Sequence, residues 1–158
     1  MSPLVRTLIF TIVVPGFWTI LVPYWLVPRG ARPAVRGASA LGWVLIVAGA
    51  CLYLLCAFWG FALRGEGTPA PIDPPKKLVT EGPYRVVRNP MYWGVLFVIL
   101  GEAIVFHSSA LAELGVAFFA CTMLFVLLYE EPTLRRKFGA EYEEYCRRVP
   151  RWIPRLRT

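Results

Sequence analysis

Charged residues make up only 17% of this sequence, and those with the types and spacing for chemistry gather in two places. One is Gly82 to Gly94, G-P-Y-R-V-V-R-N-P-M-Y-W-G, which carries Tyr84, Arg85, Arg88, Asn89, Pro90 and Tyr92. The other is the pair Glu130-Glu131. Proline is favoured at the first position of a helix, so Pro90 reads as a helix start. A helix N-terminus offers N–H groups to a carboxylate, and an arginine can fork two donors onto one. Paired glutamates accept hydrogen bonds from ribose hydroxyls or an ammonium. Gly94 and Gly101 permit close approach of another helix or of a flat ring. A pocket of this kind suits a zwitterionic nucleoside with an amino-acid tail. The alternative is an Arg/Glu cluster snorkelling at a membrane edge, and composition alone leaves both open.

The elements that must position these residues are apolar. Hydrophobic residues reach 57% and mean hydropathy is +0.55, against roughly 45–50% apolar in soluble domains even with glycine counted. That excludes a disordered chain and makes a membrane protein the leading class. Four apolar runs can be marked: Thr7–Val27, Ser39–Leu63, Met91–Phe106 and Ala110–Tyr129. A crossing takes about 20 residues, so the third run is marginal alone. His107-Ser108-Ser109 leaves room only for a tight turn between the third and fourth runs. They form an antiparallel hairpin whose two arms each return about 30 Å from the turn. Tyr84, Arg88, Asn89 and Pro90 then arrive beside Glu130 and Glu131.

The expected fold is all-α: a polytopic membrane helix bundle with four transmembrane helices, the last two a tight hairpin, and a C-terminal cytoplasmic amphipathic helix. One membrane-embedded domain covers residues 1–158, with a two-helix part (1–63), a proline-rich loop (64–90) and a hairpin with its tail (91–158). Prolines in the first run kink it rather than end it. The net charge of +7 lies beside apolar runs, which points to a membrane face rather than to nucleic acid. Arg6, the cations of the 64–90 loop and those of the tail share one side; Arg29, Arg32 and Arg36 hold the other. The imbalance predicts both termini in the cytoplasm, in a bacterial inner membrane or, in a eukaryote, the endoplasmic reticulum. Tyr24 and Trp25 mark one interface; Trp59, Tyr92, Trp93 and Tyr129 mark the other. The spacing of Leu134, Phe138, Tyr142 and Tyr145 predicts one amphipathic helix over 131–148, ended by Pro150 and Pro154.

From Leu78 to Trp152 the chain resembles the superfamily of integral membrane methyltransferases that contains isoprenylcysteine carboxyl methyltransferases and phospholipid methyltransferases. The matching blocks are L-V-T-E-G-P-Y-R-V-V-R-N-P-M-Y-W-G (78–94), E-E-P-T-L-R-R-K-F-G-A-E-Y-E-E-Y (130–145) and V-P-R-W-I-P (149–154). The resemblance implies methyl transfer from S-adenosylmethionine to a lipophilic acceptor arriving through the bilayer, as a small molecule or a lipidated chain. It places the cofactor on Arg88, Asn89, Pro90, Glu130 and Glu131, with Arg88 and Asn89 catalytic. Tyr84, Tyr92, Tyr142 and Tyr145 would wall the pocket, and Gly94 and Gly101 would border it. Arg85 lies outside the matched motif. Many relatives carry histidine where this chain has Asn89; asparagine keeps hydrogen bonding but cannot shuttle a proton at neutral pH. A carboxylate or thiolate acceptor needs no base, whereas an amine does.

Carboxyl methylation of a prenylated cysteine is the leading reaction, with phospholipid N-methylation and small-thiol S-methylation as alternatives. A non-enzymatic membrane scaffold is the reading from a different class. No metal is expected: Cys51, Cys56, Cys121 and Cys146 lack ligand spacing and read as small buried hydrophobes. The lone Gly65-Glu66-Gly67 lacks the strand-to-helix context of a dinucleotide site. Glu102 and Glu113 fall at similar depth near the far face, where they would share a proton or pair with Arg29, Arg32 or Arg36. His107, at the turn, is expected in solvent.

Overall fold

The computed structural model describes residues 2–27, 38–64 and 76–155. All regular structure among them is helical. Helix α1 (Pro3–Gly16) opens on a Ser2 cap, whose Oγ accepts from Val5 N at 3.4 Å, and on a proline in its first turn. It continues through a π-helical turn at Phe17–Leu21 into α2 (Val22–Leu26). Pro15 and Pro23 lack the N–H that an α-helix needs, and the wider turn between them lets the helix run on. Helix α3 (Ala38–Leu54) likewise continues as a π-wound stretch, Leu55–Arg64. Helix α4 (Pro90–Val105) starts on its proline, as expected. Helix α5 (Ser109–Phe125) starts on Ser108, whose Oγ accepts from Leu111 N at 3.4 Å. A π turn at Val126–Glu130 carries it into α6 (Glu131–Phe138). Pro132 explains that turn, since its ring would clash with the carbonyl four residues back.

Three helices are long and apolar enough to cross a membrane: Leu4–Leu26, Ser39–Leu63 and Ser109–Phe138. Pro90–Val105 is apolar but shorter, about 24 Å at helical rise. Their outer faces carry large apolar side chains such as Ile20, Val116 and Leu128, each at least 70% exposed. An apolar surface this extensive belongs against lipid tails rather than water.

The tightest packing in the bundle joins α3 and α4. A Cβ on Gly49 would lie 2.5 Å from the Gly94 carbonyl oxygen, and one on Gly94 would lie 2.8 Å from that of Gly49. Gly42 and Gly101 repeat the relation at 2.8 and 2.6 Å. Each pair is thus backbone on backbone, and the two helices run antiparallel. Without a hydrophobic force between helices in lipid, such close dispersion contact is what holds them together. Gly94 and Gly101 were expected at the cofactor, with another helix or a flat ring against them. Of those two, the structure shows the helix: α3 packs against both glycines.

The tail is not one helix over 131–148. Helix α6 ends at Phe138 and α7 (Ala140–Arg148) restarts after Gly139, whose φ of 53° and ψ of −124° suit only glycine. Arg135 Nη1 spans the break to Glu143 Oε1 at 2.8 Å. Cys51 and Cys121 are exposed, against expectation, while Cys56 is buried. His107 is exposed with φ at 48°, at the turn where it was expected. Glu113 is exposed and Glu102 half-buried. Among the described residues Glu102 Oε2 has no hydrogen-bond partner. Arg29, Arg32 and Arg36 lie outside the described residues, as do Gly65-Glu66-Gly67.

Candidate functional site

The segment before α4 is anchored by the tail. Gly82–Arg85 forms a 3-10 turn that buries Tyr84 beneath Gly60 and Phe61 of the α3 extension. Tyr145 Oη donates to the Tyr84 carbonyl at 2.7 Å. Beyond α7 three successive carbonyls each accept a bond from the α4 side. Arg88 N donates to Pro150 O at 2.9 Å, Asn89 Nδ2 to Arg151 O at 3.2 Å, and Trp93 Nε1 to Trp152 O at 3.0 Å. Residues 149–155 therefore return as a strap across the start of α4. Two prolines in that strap, with no helical donors of their own, leave its carbonyls free for this use.

Charge concentrates where the strap meets α6. Arg151 places Nε on Glu131 Oε1 at 2.6 Å and Nη2 on Oε2 at 2.9 Å. Arg88 Nη1 lies 3.1 Å from Glu131 Oε1, and Arg135 Nη2 lies 3.7 Å from Oε2. Glu131 is 5% exposed, so its charge is held by these arginines rather than by water. Glu130 points elsewhere, because neighbours on a helix are about 100° apart. It accepts a 2.7 Å hydrogen bond from Tyr92 Oη through Oε2. That leaves acceptor capacity on its second oxygen. Both glutamates sit at the π turn, a helix irregularity often found at functional sites.

The expected site residues divide accordingly. The structure brings together Arg88, Asn89, Tyr92, Glu130 and Glu131, with Pro90 buried among them. Glu131 is taken up by arginines, whereas Glu130 meets Tyr92 and no arginine among the described residues. Tyr84, Tyr142 and Tyr145 are buried, and burial pushes their phenols above the ordinary tyrosine range. They stay protonated donors at neutral pH. Tyr142 and Tyr145 pack in a cluster with Val149, Leu134 and Phe138 and so hold the strap. Tyr92 and Trp93, read as interface anchors, face protein: Tyr92 and Phe119 both meet the Trp152 ring. Arg151 and Trp152 carry functions that reasoning from sequence missed, although both lie inside the matched block 149–154.

The residues fit the cofactor's chemistry. Among the described residues, buried Arg88 Nε and Trp152 Nε1 have no hydrogen-bond partner, and buried donors are rarely left so. Arg88 offers a donor to a carboxylate, and Glu130 an acceptor to an ammonium or to ribose hydroxyls. Asn89 does not cap α4 with its side chain, which is turned to the strap. Beside this polar cluster lies an apolar cavity of about 300 Å³ between α1 and the α4–α5 hairpin. Phe10, Trp18, Met91, Val95, Phe118 and Tyr92 line it.

Comparison with known proteins identifies relatives of the chain. An Arabidopsis thaliana protein named protein-S-isoprenylcysteine O-methyltransferase B is 37% identical over 81 residues, 49% of this chain and 40% of its own length. Human phosphatidylethanolamine N-methyltransferase is 38% identical over 106 residues, 66% of this chain and 52% of its own. Methanethiol S-methyltransferase 2 of Bradyrhizobium diazoefficiens is 27% identical over 157 residues, 89% and 54%. The chain thus spans about half the length of these curated relatives. The model of the phospholipid methyltransferase family matches residues 38–141, from the start of α3 into α7. With its glycine-packed helices, the Arg88–Glu131 pair and Tyr92–Glu130 all inside or between those bounds, the chain belongs to the phospholipid methyltransferase family.

Proposed function

We propose that this protein transfers a methyl group from S-adenosylmethionine to a lipophilic acceptor, most like the isoprenylcysteine carboxyl O-methyltransferases. One observation carries the reading: Tyr92 borders the apolar cavity and at the same time donates to Glu130 in the polar cluster. A polar cofactor site and a space for an apolar chain therefore meet at a single side chain.

When bound, the cofactor supplies an electrophilic methyl carbon on a sulfonium. Arg88 would hold its carboxylate through the unpartnered Nε, and Glu130 would take its ammonium or ribose hydroxyls. Tyr92 fixes the Glu130 carboxylate at 2.7 Å. Met91, Val95 and Phe118 exclude water from the acceptor side, and alignment with exclusion of water is the main demand of an in-line displacement. Asn89 binds the strap and supplies no base. The one histidine, His107, sits at the α4–α5 turn, at the other end of α4. This favours an acceptor that arrives ionised, a carboxylate or a thiolate, over an amine that must lose a proton. Amine N-methylation and small-thiol S-methylation are the other outcomes an acceptor screen can return.

The proposed setting is a single membrane-embedded unit in which Pro90–Val105 makes a fourth crossing. The cation-rich loop, the tail and both termini then lie in the cytoplasm. The deciding experiment is binding of labelled S-adenosylmethionine by the purified full chain, followed by methyl transfer to fractionated membrane lipids and prenylated peptides. Folded protein that binds no cofactor overturns the enzyme reading and leaves a membrane scaffold.

A further inference from the structure

A second concavity lies on the other side of the strap. It measures about 870 Å³ and runs between residues 80–86 and α7 with its tail, a size within the range of small-molecule sites. Thr80, Arg85, Arg148 and Arg155 line it, with Glu141 as the one acid. We propose that this groove binds the phosphodiester headgroup of an anionic membrane lipid.

The charge argues for an anion. Three arginines from two separate segments line one space, with Glu141 in its lining and Glu144 paired to Arg148. Arg85 makes no ion pair among the described residues. Arg148 shares Glu144 at 3.0 Å with its side chain still 69% exposed, and among the described residues Arg155 Nη1 reaches only the Arg147 carbonyl at 3.3 Å. Like charges gathered this way repel, and a phosphate between them reverses the sign of that interaction.

The flanks argue for a lipid. Val86 follows Arg85 and is 52% exposed; Ile153 precedes Pro154 and is 76% exposed. Apolar side chains beside arginines on a cytoplasmic face mark a surface that dips to the boundary of headgroup and acyl chain.

The walls give the site a consequence. Tyr145 and Pro150 line the groove and also carry two of the bonds that fasten the strap, to Tyr84 O and from Arg88 N. A phosphate joining Arg85 to Arg148 and Arg155 ties the same two segments a second time. It thereby steadies the strap that brings Arg151 to Glu131, without touching either glutamate of the polar cluster.

The test places the full chain in nanodiscs of phosphatidylcholine alone or of an equal mixture with phosphatidylglycerol. Amide hydrogen exchange over residues 149–155 should be slower in the mixture. A combined Arg85→Gln, Arg148→Gln and Arg155→Gln variant should lose that difference, with affinity for phosphatidylglycerol falling roughly fivefold per arginine. Lysine at the same three positions should keep most of it. Equal exchange of the unaltered protein in both lipids overturns the proposal, and so does a difference that survives in the folded glutamine variant. Full protection by millimolar inorganic phosphate in phosphatidylcholine discs overturns the lipid as the source.

Discussion

Arg151 sets two donors of its guanidinium on the two oxygens of Glu131, at 2.6 and 2.9 Å, across twenty residues of chain. The hydrogen bond to Glu131 also holds the Arg151 guanidinium above its usual range. This fork is the strap's charged attachment to the start of α6, and Arg88 meets the same carboxylate from the α4 side. One carboxylate therefore joins three segments: the loop before α4, the start of α6 and the tail. Its charge is satisfied by protein alone, which sets it apart from Glu130.

Arg151→Lys keeps the charge and loses the fork. Arg151 is a third exposed, so the expected loss is at the low end for a charged hydrogen bond, about 1.5 kcal/mol. It should appear as faster proteolysis of the tail and a lower unfolding temperature. A tail as protected as in the unaltered protein would count against the strap. Arg88→Lys should reduce methyl transfer strongly, whereas Arg85→Lys, which preserves the charge in the lipid groove, should leave it near normal.

Glu130 and Glu131 should separate on substitution. Glu130→Gln should weaken cofactor binding by roughly 10–150-fold, the equivalent of one charged hydrogen bond, with little change in thermal unfolding. Glu131→Gln leaves Arg88 and Arg151 facing an uncharged amide and should cost about 3 kcal/mol of stability. Calorimetry of cofactor binding beside thermal unfolding reads both. The division of roles fails if the two variants show the same pair of effects.

The α3–α4 contact predicts an ordered glycine series. Gly49→Ala and Gly94→Ala each drive a methyl into a carbonyl at 2.8 Å or less and should destabilise by about 1–3 kcal/mol. Gly16→Ala, whose Cβ would find its nearest neighbour at 3.6 Å, should be neutral or gain up to about 1 kcal/mol in helix propensity. Unfolding in mild detergent with increasing denaturant measures the order. A Gly49→Ala protein as stable as Gly16→Ala would refute the backbone contact.

Reporter fusions after Arg32 and after Thr158 should report opposite sides of the membrane, with the C-terminal fusion cytoplasmic. The same side for both would reduce the crossings to an arrangement in which Pro90–Val105 does not span.

The membrane class and the meeting of the segment around Arg88 with Glu130 and Glu131 were legible in the sequence. Apolar runs must leave water, and the helical rise is constant, so a three-residue turn brings two arms of equal length back to one level. The start of α4 at Pro90 follows from local chemistry in the same way. Local chemistry does not assign a partner. Gly94 and Gly101 announced a close contact, but only the paired spacing of Gly42 and Gly49 on α3 shows that a helix makes it. Glu130 and Glu131 are identical in type and adjacent, and a π turn with three arginines converging on one side decides which is held and which is open. The return of Pro150 to Trp152 had least to announce it. An irregular segment has no periodicity to read, and its place is determined by three donors, on Arg88, Asn89 and Trp93, that lie about sixty residues earlier in the chain.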